Sequence, residues 1–391
     1  MTAYIVLWHS ELPNVIRIRK IMIKQINKKI KIGIVNASQS CEPSGFLFNK
    51  AVTFFRMNDY KIIFDQPASC DILLINTCCV TKNKISLAET LIAKSLQETT
   101  VKTVIIFGCF VSLPEKILKD KRVMTIGSKE MKKFDQLFTH RISIEDVAAG
   151  PLDHRLFIPY QTKITEQDYF VLICQGYTHR CSYCNIKKVK GNVSSRSAID
   201  IINDIQKGLR EGRKEFVLLG DDCGSYGADL GTDLASLIKA IIDQCPEAKL
   251  KISTFFPEDF ILLFPALEES ISTGKIVYMN IPLQSGSKRI LGLMHRNYNI
   301  NRIKKMIKKA KELSPSLWLY THILANFPTE TMEDYLKSLR AALLFDECMI
   351  IAYSDNPLTP ASKIVPKIEQ LEKVKRLRIA QELIKNIIAG S

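Results

Sequence analysis

Residues 169–184 read Tyr-Phe-Val-Leu-Ile-Cys-Gln-Gly-Tyr-Thr-His-Arg-Cys-Ser-Tyr-Cys, an apolar run that leads into a cysteine-rich loop. The apolar part, Tyr169 to Ile173, predicts a buried strand. In the loop, a turn lets the sulfurs of Cys181 and Cys184 reach one metal centre from the same side, and thiolates are the ligands of iron-sulfur clusters. The loop therefore predicts an iron-sulfur site, although the same spacing is as typical of a zinc half-site or of two buried cysteines.

The alternation of apolar strands and helix-length patterns continues from this loop to the end of the chain. The six candidate strands are Tyr169 to Cys174, Phe216 to Gly220, Leu250 to Ser253, Ile276 to Asn280, Leu317 to Ile323 and Cys348 to Tyr353. Six βα units are fewer than the eight of a closed barrel, so the pattern predicts a partial, open (β/α)6 barrel over residues 166–391. Because βα barrels carry their chemistry in the loops after the strands, the loop from Cys174 to Cys184 is the predicted active site.

Upstream of the barrel, a shorter α/β pattern occupies residues 31–140. Its candidate strands are Ile32 to Val35, Lys61 to Phe64, Ile72 to Ile75, Val104 to Phe107 and Val123 to Ile126. This order predicts a small α/β domain with a mostly parallel sheet. Residues 141–165, which contain Gly150, Pro151 and Pro159, are predicted to be a linker.

Three cysteines follow candidate strands of the first domain at short distances. Cys41 comes after the first strand, Cys78 after Ile72 to Ile75, and Cys109 after Val104 to Phe107. Ligand sites of parallel α/β sheets lie beyond the carboxyl ends of the strands. The placement therefore predicts a second cluster, held by these three thiolates and with one open iron.

Composition narrows the class of protein and its compartment. The chain has 391 residues, 46% of them apolar, and eleven cysteines without a secretory signal, which favours a reducing, cytoplasmic setting in which cysteines serve metals. No apolar run reaches membrane-spanning length. The net charge of +15 favours polyanionic partners such as RNA. Residues 1–30 form a basic extension with isoleucines between the lysines and arginines; it is assigned no function, because a solvated extension is the simplest interpretation.

Several short stretches together resemble the radical S-adenosylmethionine (SAM) methylthiotransferases, which modify tRNA adenosine derivatives or a ribosomal protein. The matching stretches are Ile75-Asn-Thr-Cys78, Phe107-Gly-Cys109, Cys181-Ser-Tyr-Cys184, Ser195-Arg-Ser197, Leu219 to Leu230, Pro282-Leu-Gln-Ser-Gly-Ser287, Met294-His-Arg296, Tyr353-Ser354 and Pro357 to Ala361. Each stretch is weak alone, but they extend from about residue 31 to about residue 370.

The resemblance implies a two-cluster enzyme that uses SAM and transfers a methylthio group to a tRNA nucleoside. Its cofactors would be two 4Fe-4S clusters and SAM, and an electron donor such as flavodoxin or ferredoxin would be a partner. Tyr183 would pack near the adenine of SAM. The loops with Gly220 and with Gln284 and Ser285 would line the SAM pocket, although the second is also typical of an ordinary glycine-containing turn.

The cluster loop departs from the family pattern of three cysteines, because Tyr177 stands where the first cysteine is expected. Cys174 is one candidate for the third ligand, but three extended residues span up to ~10 Å, so the loop would have to fold back. His179 and the phenolate of Tyr177 are other candidates. The remaining alternative is a lost or unstable cluster, and hence a degenerate enzyme.

Other departures fall near the expected cavity. Cys41 lacks the usual preceding glycine, His322 stands where the family tends to have aspartate, Asn326 and Thr329 replace glycines, and Asn356 and Leu358 replace arginine and glycine. Together they indicate a changed substrate pocket or relaxed constraint.

The C-terminal region bears on the substrate. One charged helix, Lys367 to Ile388, is predicted after the sixth strand, and the small RNA-binding TRAM domain of tRNA-modifying members is expected to be absent. Two groups of basic side chains offer an alternative RNA contact. The first, after the cysteine-rich loop, is Lys187, Lys188 and Lys190; the second, on one amphipathic helix, is Arg302, Lys304, Lys305, Lys308, Lys309 and Lys311. The second group is more typical of a solvated helix face. The alternative substrate is a peptide or a small natural product.

Overall fold

The computed structural model describes residues 30–38, 41–64, 69–113, 119–147, 150–159 and 161–389, with side chains up to residue 380. The basic extension, residue 30 excepted, lies outside the described residues. The described chain divides into two compact units. The first contains residues 30–37, 47–64, 69–77, 87–113 and 119–147, and the second contains residues 38, 41–46, 78–86, 150–159 and 161–389.

A five-stranded parallel sheet organises the N-terminal half of the chain. In chain order its elements are β1 (Lys31–Asn36), α1 (Glu42–Met57), β2 (Lys61–Phe64), β3 (Ile72–Thr77), α2 (Lys82–Gln97), β4 (Thr103–Gly108), β5 (Val123–Ile126) and α3 (Lys133–Leu137). The strand order is β2-β1-β3-β4-β5. All five predicted strands are present, and the parallel sheet is confirmed.

Aromatic side chains fill the core of the first unit. β3 is buried along its whole length, as expected for a central parallel strand with both faces covered. Next to the sheet, the rings of Phe55 and Phe138 meet edge to face with centroids 4.8 Å apart, and Phe134 contacts both. Such pairs stabilise a core beyond the area they bury.

A seven-stranded sheet organises the second unit. Its elements are β6 (Tyr169–Gln175), α4 (Ile186–Lys190), β7 (Ser194–Ser195), α5 (Ala198–Arg210), β8 (Glu215–Gly220), α6 (Leu234–Gln244), β9 (Lys249–Ile252), α7 (Pro257–Ser272), β10 (Ile276–Asn280), α8 (Lys288–Leu293), α9 (Ile300–Leu313), β11 (Trp318–Ala325), α10 (Met332–Ala342), β12 (Glu347–Ala352) and α11 (Gln370–Ala389). The order β12-β11-β10-β9-β8-β6 is parallel throughout, which confirms the predicted partial barrel of six βα units. The short β7, which was not predicted, pairs antiparallel to the end of β6.

Alternation along the strands separates the two faces of this sheet. Met279 of β10, Ile281 directly after it, and Leu319 and Ile323 of β11 belong to the apolar core that includes the helices. The residues that alternate with them along the chain therefore face the inside of the barrel. We call Tyr278, Asn280, Tyr320 and His322 the inner row; in it, Asn280 and Tyr320 are register partners.

A buried ion pair connects α11 to the loop before α10. Arg376 Nη1 lies 2.7 Å from Glu330 Oε2, with the two side chains 3% and 0% exposed. Replacing Arg376 with alanine leaves a buried, unpaired carboxylate, so we expect a loss of about 3–5 kcal/mol in the free energy of unfolding, measured by urea denaturation. Lys337→Ala, which breaks an exposed ion pair with Glu333, is the control. Equal losses in the two variants would contradict this assignment.

Candidate functional site

The loop after β6 is held by neighbouring loops from its first residue onward. Gly176 N donates to Asp221 Oδ2 at 2.8 Å, and Tyr177 N donates to the carbonyl of Gly191 at 3.2 Å. Thr178 Oγ1 lies 2.8 Å from Ser225 Oγ, after β8. Hydrogen bonds thus fix three successive residues of the loop, Gly176 to Thr178, on the N-terminal side of Cys181.

His179 is fixed by two carboxylates and an aromatic ring. Its Nε2 lies 2.7 Å from Asp259 Oδ2 and 3.6 Å from Asp222 Oδ2, and its ring stacks on Phe256 with centroids 4.6 Å apart. Burial lowers the pKa of His179, but the hydrogen bond to Asp259 and the charges of both aspartates outweigh it and raise the pKa. Burial also raises the pKa of Asp222, to about 7. This network was not predicted; the pair Asp221-Asp222 directly after a strand was the available signal.

The two cysteines lie on a tight turn with a fixed backbone. Cys184 N donates to the carbonyl of Cys181 at 3.2 Å, and both residues are half-buried. Between them, Ser182 N donates to the carbonyl of Met294 at 3.0 Å, and the carbonyl of Ser182 accepts from Ala361 N at 2.9 Å. The backbone of the turn is therefore held from two sides, while its thiols keep access to a ligand.

Tyr177 occupies the position of the expected first cysteine. Burial raises the pKa of its phenol well above 10, and the charges of Asp221, Cys184 and Cys41 act in the same direction. Tyr177, Cys184 and Cys41 thus lie close enough to interact electrostatically. Burial and these charges favour the neutral phenol, and a neutral phenol is a weaker iron ligand than a thiolate.

Cys174 lies in the packed core of the second unit. A β-bulge between Leu172 and Cys174 pairs Cys174 with Gly220 and places its side chain among the apolar residues next to the helices. It is 1% exposed, and its Sγ donates to the carbonyl of Asp222 at 3.3 Å. Burial raises the pKa of this thiol well above 9. The structure therefore gives no support to Cys174 as the third ligand.

Gly220 is where β8 passes closest to that core. A Cβ at this position would lie 2.9 Å from Cys174 Sγ and 3.2 Å from Cys223 Sγ. Packing alone thus accounts for glycine here, and the predicted contact with SAM stays a prediction.

Tyr183 points at a buried arginine that sequence reasoning did not single out. Arg296 Nη2 donates to Tyr183 Oη at 3.1 Å, and the guanidinium lies 3.9 Å from the ring centroid of Phe256. Glu258 Oε2 is 3.6 Å from Arg296 Nη1. Burial raises the pKa of Tyr183 well above 10, so the hydroxyl stays neutral. The available signal was the Met294-His-Arg296 stretch.

Gln284 and Ser285 connect β10 to its neighbours. Gln284 N donates to the carbonyl of His322 at 2.7 Å, and its own carbonyl accepts from Leu324 N at 2.9 Å. Ser285 is fully buried, and its Oγ lies 3.1 Å from Ser338 Oγ of α10. These contacts fix the loop to the barrel wall. The predicted contact of Gln284 and Ser285 with SAM stays a prediction.

The lysines after the cluster loop are engaged with the chain itself. Lys187 Nζ donates to the carbonyl of Tyr177, and Lys188 Nζ donates to the carbonyl of Leu358 at 3.3 Å. Lys190 Nζ lies 3.4 Å from Asp221 Oδ1, and both side chains are less than 5% exposed. These side chains hold the loop, which weakens the prediction that they contact RNA.

Asn326 and Thr329, two of the departures from the family pattern, have a left-handed backbone conformation. Asn326 has φ 63° and Thr329 has φ 66°. Glycine adopts this conformation without strain. Asparagine tolerates it, whereas it strains the β-branched Thr329.

At the first sheet, register aligns the residues that precede two cysteines. Thr77 and Gly108 are partners on β3 and β4, and Cys78 and Cys109 are the next residues along the chain. On the other side of β3, Ala37 N donates to the carbonyl of Asn76 at 3.0 Å. Cys41 follows four residues later. The three predicted ligands therefore follow three adjacent strands.

Gly108 is required by this geometry. Its φ is 99°, and a Cβ would lie 2.6 Å from the carbonyl oxygen of Thr77. We expect Gly108→Ala to lower the free energy of unfolding by about 1–3 kcal/mol, from backbone strain alone, in urea denaturation. Gly127→Ala is the control, since its Cβ would meet only side-chain atoms: Glu130 Oε2 at 3.2 Å and Val111 Cγ2 at 3.5 Å. A Gly108→Ala loss no larger than the control's would show that the backbone adapts.

Comparison with known proteins assigns the class and then the family. The Radical SAM superfamily matches residues 172–342. The solved structure of TsrM, a radical S-adenosylmethionine methyltransferase from Kitasatospora setae, aligns with a TM-score of 0.56 at 11% identity over 86% of this chain and 77% of that one, which supports the fold. This chain is therefore a radical SAM protein.

Sequence relatives narrow the class further. The tRNA-2-methylthio-N(6)-dimethylallyladenosine synthase of Pelotomaculum thermopropionicum is 30% identical over 336 residues, 81% of this chain and 73% of that protein. The "Probable threonylcarbamoyladenosine tRNA methylthiotransferase" of Pyrococcus abyssi is 27% identical over 83% of this chain and 79% of its own length. The chain belongs to the radical SAM methylthiotransferase family, as predicted, and is an enzyme of that family. Among the described residues, no helix has the length and apolarity to cross a membrane.

Proposed function

We propose that this chain inserts a methylthio group at an unactivated C–H bond of a tRNA nucleoside, using two 4Fe-4S clusters and SAM. The observation that carries the proposal is the position of two cysteine sets after parallel strands. Cys181 and Cys184 follow β6, whereas Cys41, Cys78 and Cys109 follow β1, β3 and β4. Ligand sites in parallel sheets lie at this end.

The two sets fit a cluster to different degrees. The set after the first sheet offers three thiols, as a 4Fe-4S cluster with one open iron requires. The barrel set offers two thiols on a fixed turn, and its third position holds the neutral phenol of Tyr177. We therefore propose that Cys181 and Cys184 hold the barrel cluster and that it is held less firmly than one with three thiolates.

The clusters and SAM would supply, when bound, the removal of a hydrogen atom, a sulfur atom and, from a second SAM, a methyl group, so that one C–H bond is replaced by C–S and S–CH3 bonds. An electron donor such as flavodoxin or ferredoxin supplies the electron. The side chains of the protein hold these groups in position. Thr178 and His179 fix the loop, and Arg296 orients the hydroxyl of Tyr183. Tyr183 is the side chain proposed to face the adenine of SAM.

The substrate class rests on the relatives and on charge. Both named relatives carry tRNA modification in their names, and the net charge of +15 favours a polyanion. We also propose a cytoplasmic location, in keeping with a tRNA substrate and with cysteines that serve metals.

A second candidate function is a descendant of such an enzyme with an impaired barrel cluster. Tyr177 is the observation that favours it, because it removes one thiolate from the loop. The two candidates differ in whether SAM is cleaved.

The test uses anaerobically reconstituted protein, a reductant, SAM and tRNA that lacks only the methylthio group, followed by mass spectrometry of the digested nucleosides. A methylthiolated nucleoside that is absent with Cys184→Ala supports the proposal. No product and no 5′-deoxyadenosine from iron-loaded protein would favour the impaired descendant. Salt-sensitive tRNA binding is also expected, and its absence would reject tRNA as the substrate.

A further inference from the structure

Two proposed cluster ligands that follow strands of the first sheet belong to the barrel unit. Cys41 and Cys78 are grouped with the second unit, although the strands before them belong to the first. The charges of Cys41 and of the barrel ligand Cys184 also act together on the pKa of Tyr177. Two ligands of one proposed cluster thus lie in the same compact unit as the ligands of the other.

Asn185, the residue after Cys184, bonds to the residue after Cys78. Its Nδ2 donates to the carbonyl of Cys79 at 3.0 Å and lies 3.9 Å from Cys79 Sγ. Asn185 is 2% exposed and Cys79 is 0% exposed, so the bond is shielded from bulk water. One buried side chain therefore connects the backbone beside a barrel ligand to the backbone beside a ligand of the other proposed cluster.

Asn356 makes a second bond to the same segment. Its Nδ2 donates to the carbonyl of Val80 at 3.1 Å, and its Oδ1 accepts from Leu358 N at 3.0 Å. Asn356 is buried, and it is one of the departures from the family pattern. Two successive carbonyls after Cys78 are therefore held by asparagines of the barrel, one in the loop after β6 and one in the loop after β12.

The side chain of Asn185 carries a cost as well as a bond. Its Oδ1 is buried and has no hydrogen-bond partner among the described residues. An unpaired buried acceptor costs at least as much free energy as one hydrogen bond contributes, so the asparagine adds little net stability. Placement of the segment after Cys78 accounts for this residue better than stability does.

We propose that Asn185 and Asn356 are positioning residues that set the separation of the two clusters. The inference rests on the proposed function, in which a carbon activated at the barrel cluster must meet sulfur held at the other cluster. Cys79 and Val80 directly follow Cys78, so a shift of their carbonyls moves that ligand with them. The two bonds thus decide how often hydrogen abstraction ends in a methylthiolated product.

The experiment compares reconstituted wild-type protein with Asn185→Leu, Asn356→Leu and the double variant. Leucine has the branched shape of asparagine and lacks its donor. Every protein should hold the wild-type iron content, about eight per chain. We expect Asn185→Leu to form roughly tenfold more 5′-deoxyadenosine per methylthiolated nucleoside, because small misplacements of reacting groups cost rate steeply. The double variant should exceed either single variant.

A second readout is independent of turnover. Two reduced 4Fe-4S clusters held at a fixed, short separation broaden each other's electron paramagnetic resonance signals. We expect Asn185→Leu to change this broadening at unchanged iron content. Ser95→Ala, which removes a buried side-chain bond to the carbonyl of Leu91 within α2, is the matched control and should change neither readout.

The outcomes separate this inference from the proposed function. Unchanged broadening or, where product forms, an unchanged product ratio in the double variant would overturn the inference. A wild-type protein whose clusters show no magnetic interaction would also overturn it, as would loss of iron in Asn185→Leu, because the side chain would then support cluster binding. Changed broadening in protein that forms no methylthiolated nucleoside would instead reject the proposed function and leave the positioning role intact.

Discussion

Replacing Cys184 with alanine is expected to remove about half of the iron and acid-labile sulfide from the reconstituted chain, or about four of roughly eight irons. The loss follows because Cys184 is one of two thiols on the fixed turn, and one remaining thiol cannot hold the cluster. Cys78→Ala should remove the other half, and the double variant nearly all of it. Iron and sulfide analysis after anaerobic desalting measures each value.

The matched control is Cys348→Ala, which removes another half-buried free thiol in the same unit. It should leave the iron content unchanged. A Cys184→Ala protein with the wild-type iron content would contradict the barrel cluster, and a content of zinc instead of iron would favour the zinc half-site.

Replacing Tyr177 with cysteine should strengthen the barrel cluster. The variant supplies the third thiolate in place of a buried phenol whose pKa is raised well above 10. We expect the iron retained against a chelator to rise toward about eight per chain, and the rate of iron loss from the barrel to fall by roughly tenfold or more, because a third thiolate adds a strong bond to the cluster.

Tyr177→Phe separates the two possible roles of the tyrosine. It keeps the ring and removes only the hydroxyl, so a phenol that is not a ligand leaves the iron content at the wild-type level. Loss of the barrel iron in this variant would show that the phenolate binds iron. That result would contradict the proposal that Tyr177 does not act as the third ligand of the barrel cluster.

The sequence predicted well what depends on neighbouring residues. Period and length located every strand of both sheets except β7, and β2, β5 and β10 have the predicted bounds. The turn from Cys181 to Cys184 was also predicted, because its two cysteines lie three residues apart. Local patterns suffice for features of this kind.

What the sequence did not show depends on contacts between distant segments. The bulge in β6 places Cys174, a candidate third ligand, in the apolar core, and a bulge has no signature in the strand pattern. The contacts of His179 come from Asp222 and Asp259, 43 and 80 residues away.

The most direct test of the account is 5′-deoxyadenosine formation by reduced, anaerobically reconstituted wild-type protein supplied with SAM and tRNA that lacks only the methylthio group. The account predicts 5′-deoxyadenosine together with a methylthiolated nucleoside, with neither formed by Cys184→Ala at equal protein concentration. Wild-type protein that holds its iron and yet forms no more 5′-deoxyadenosine than Cys184→Ala would contradict it.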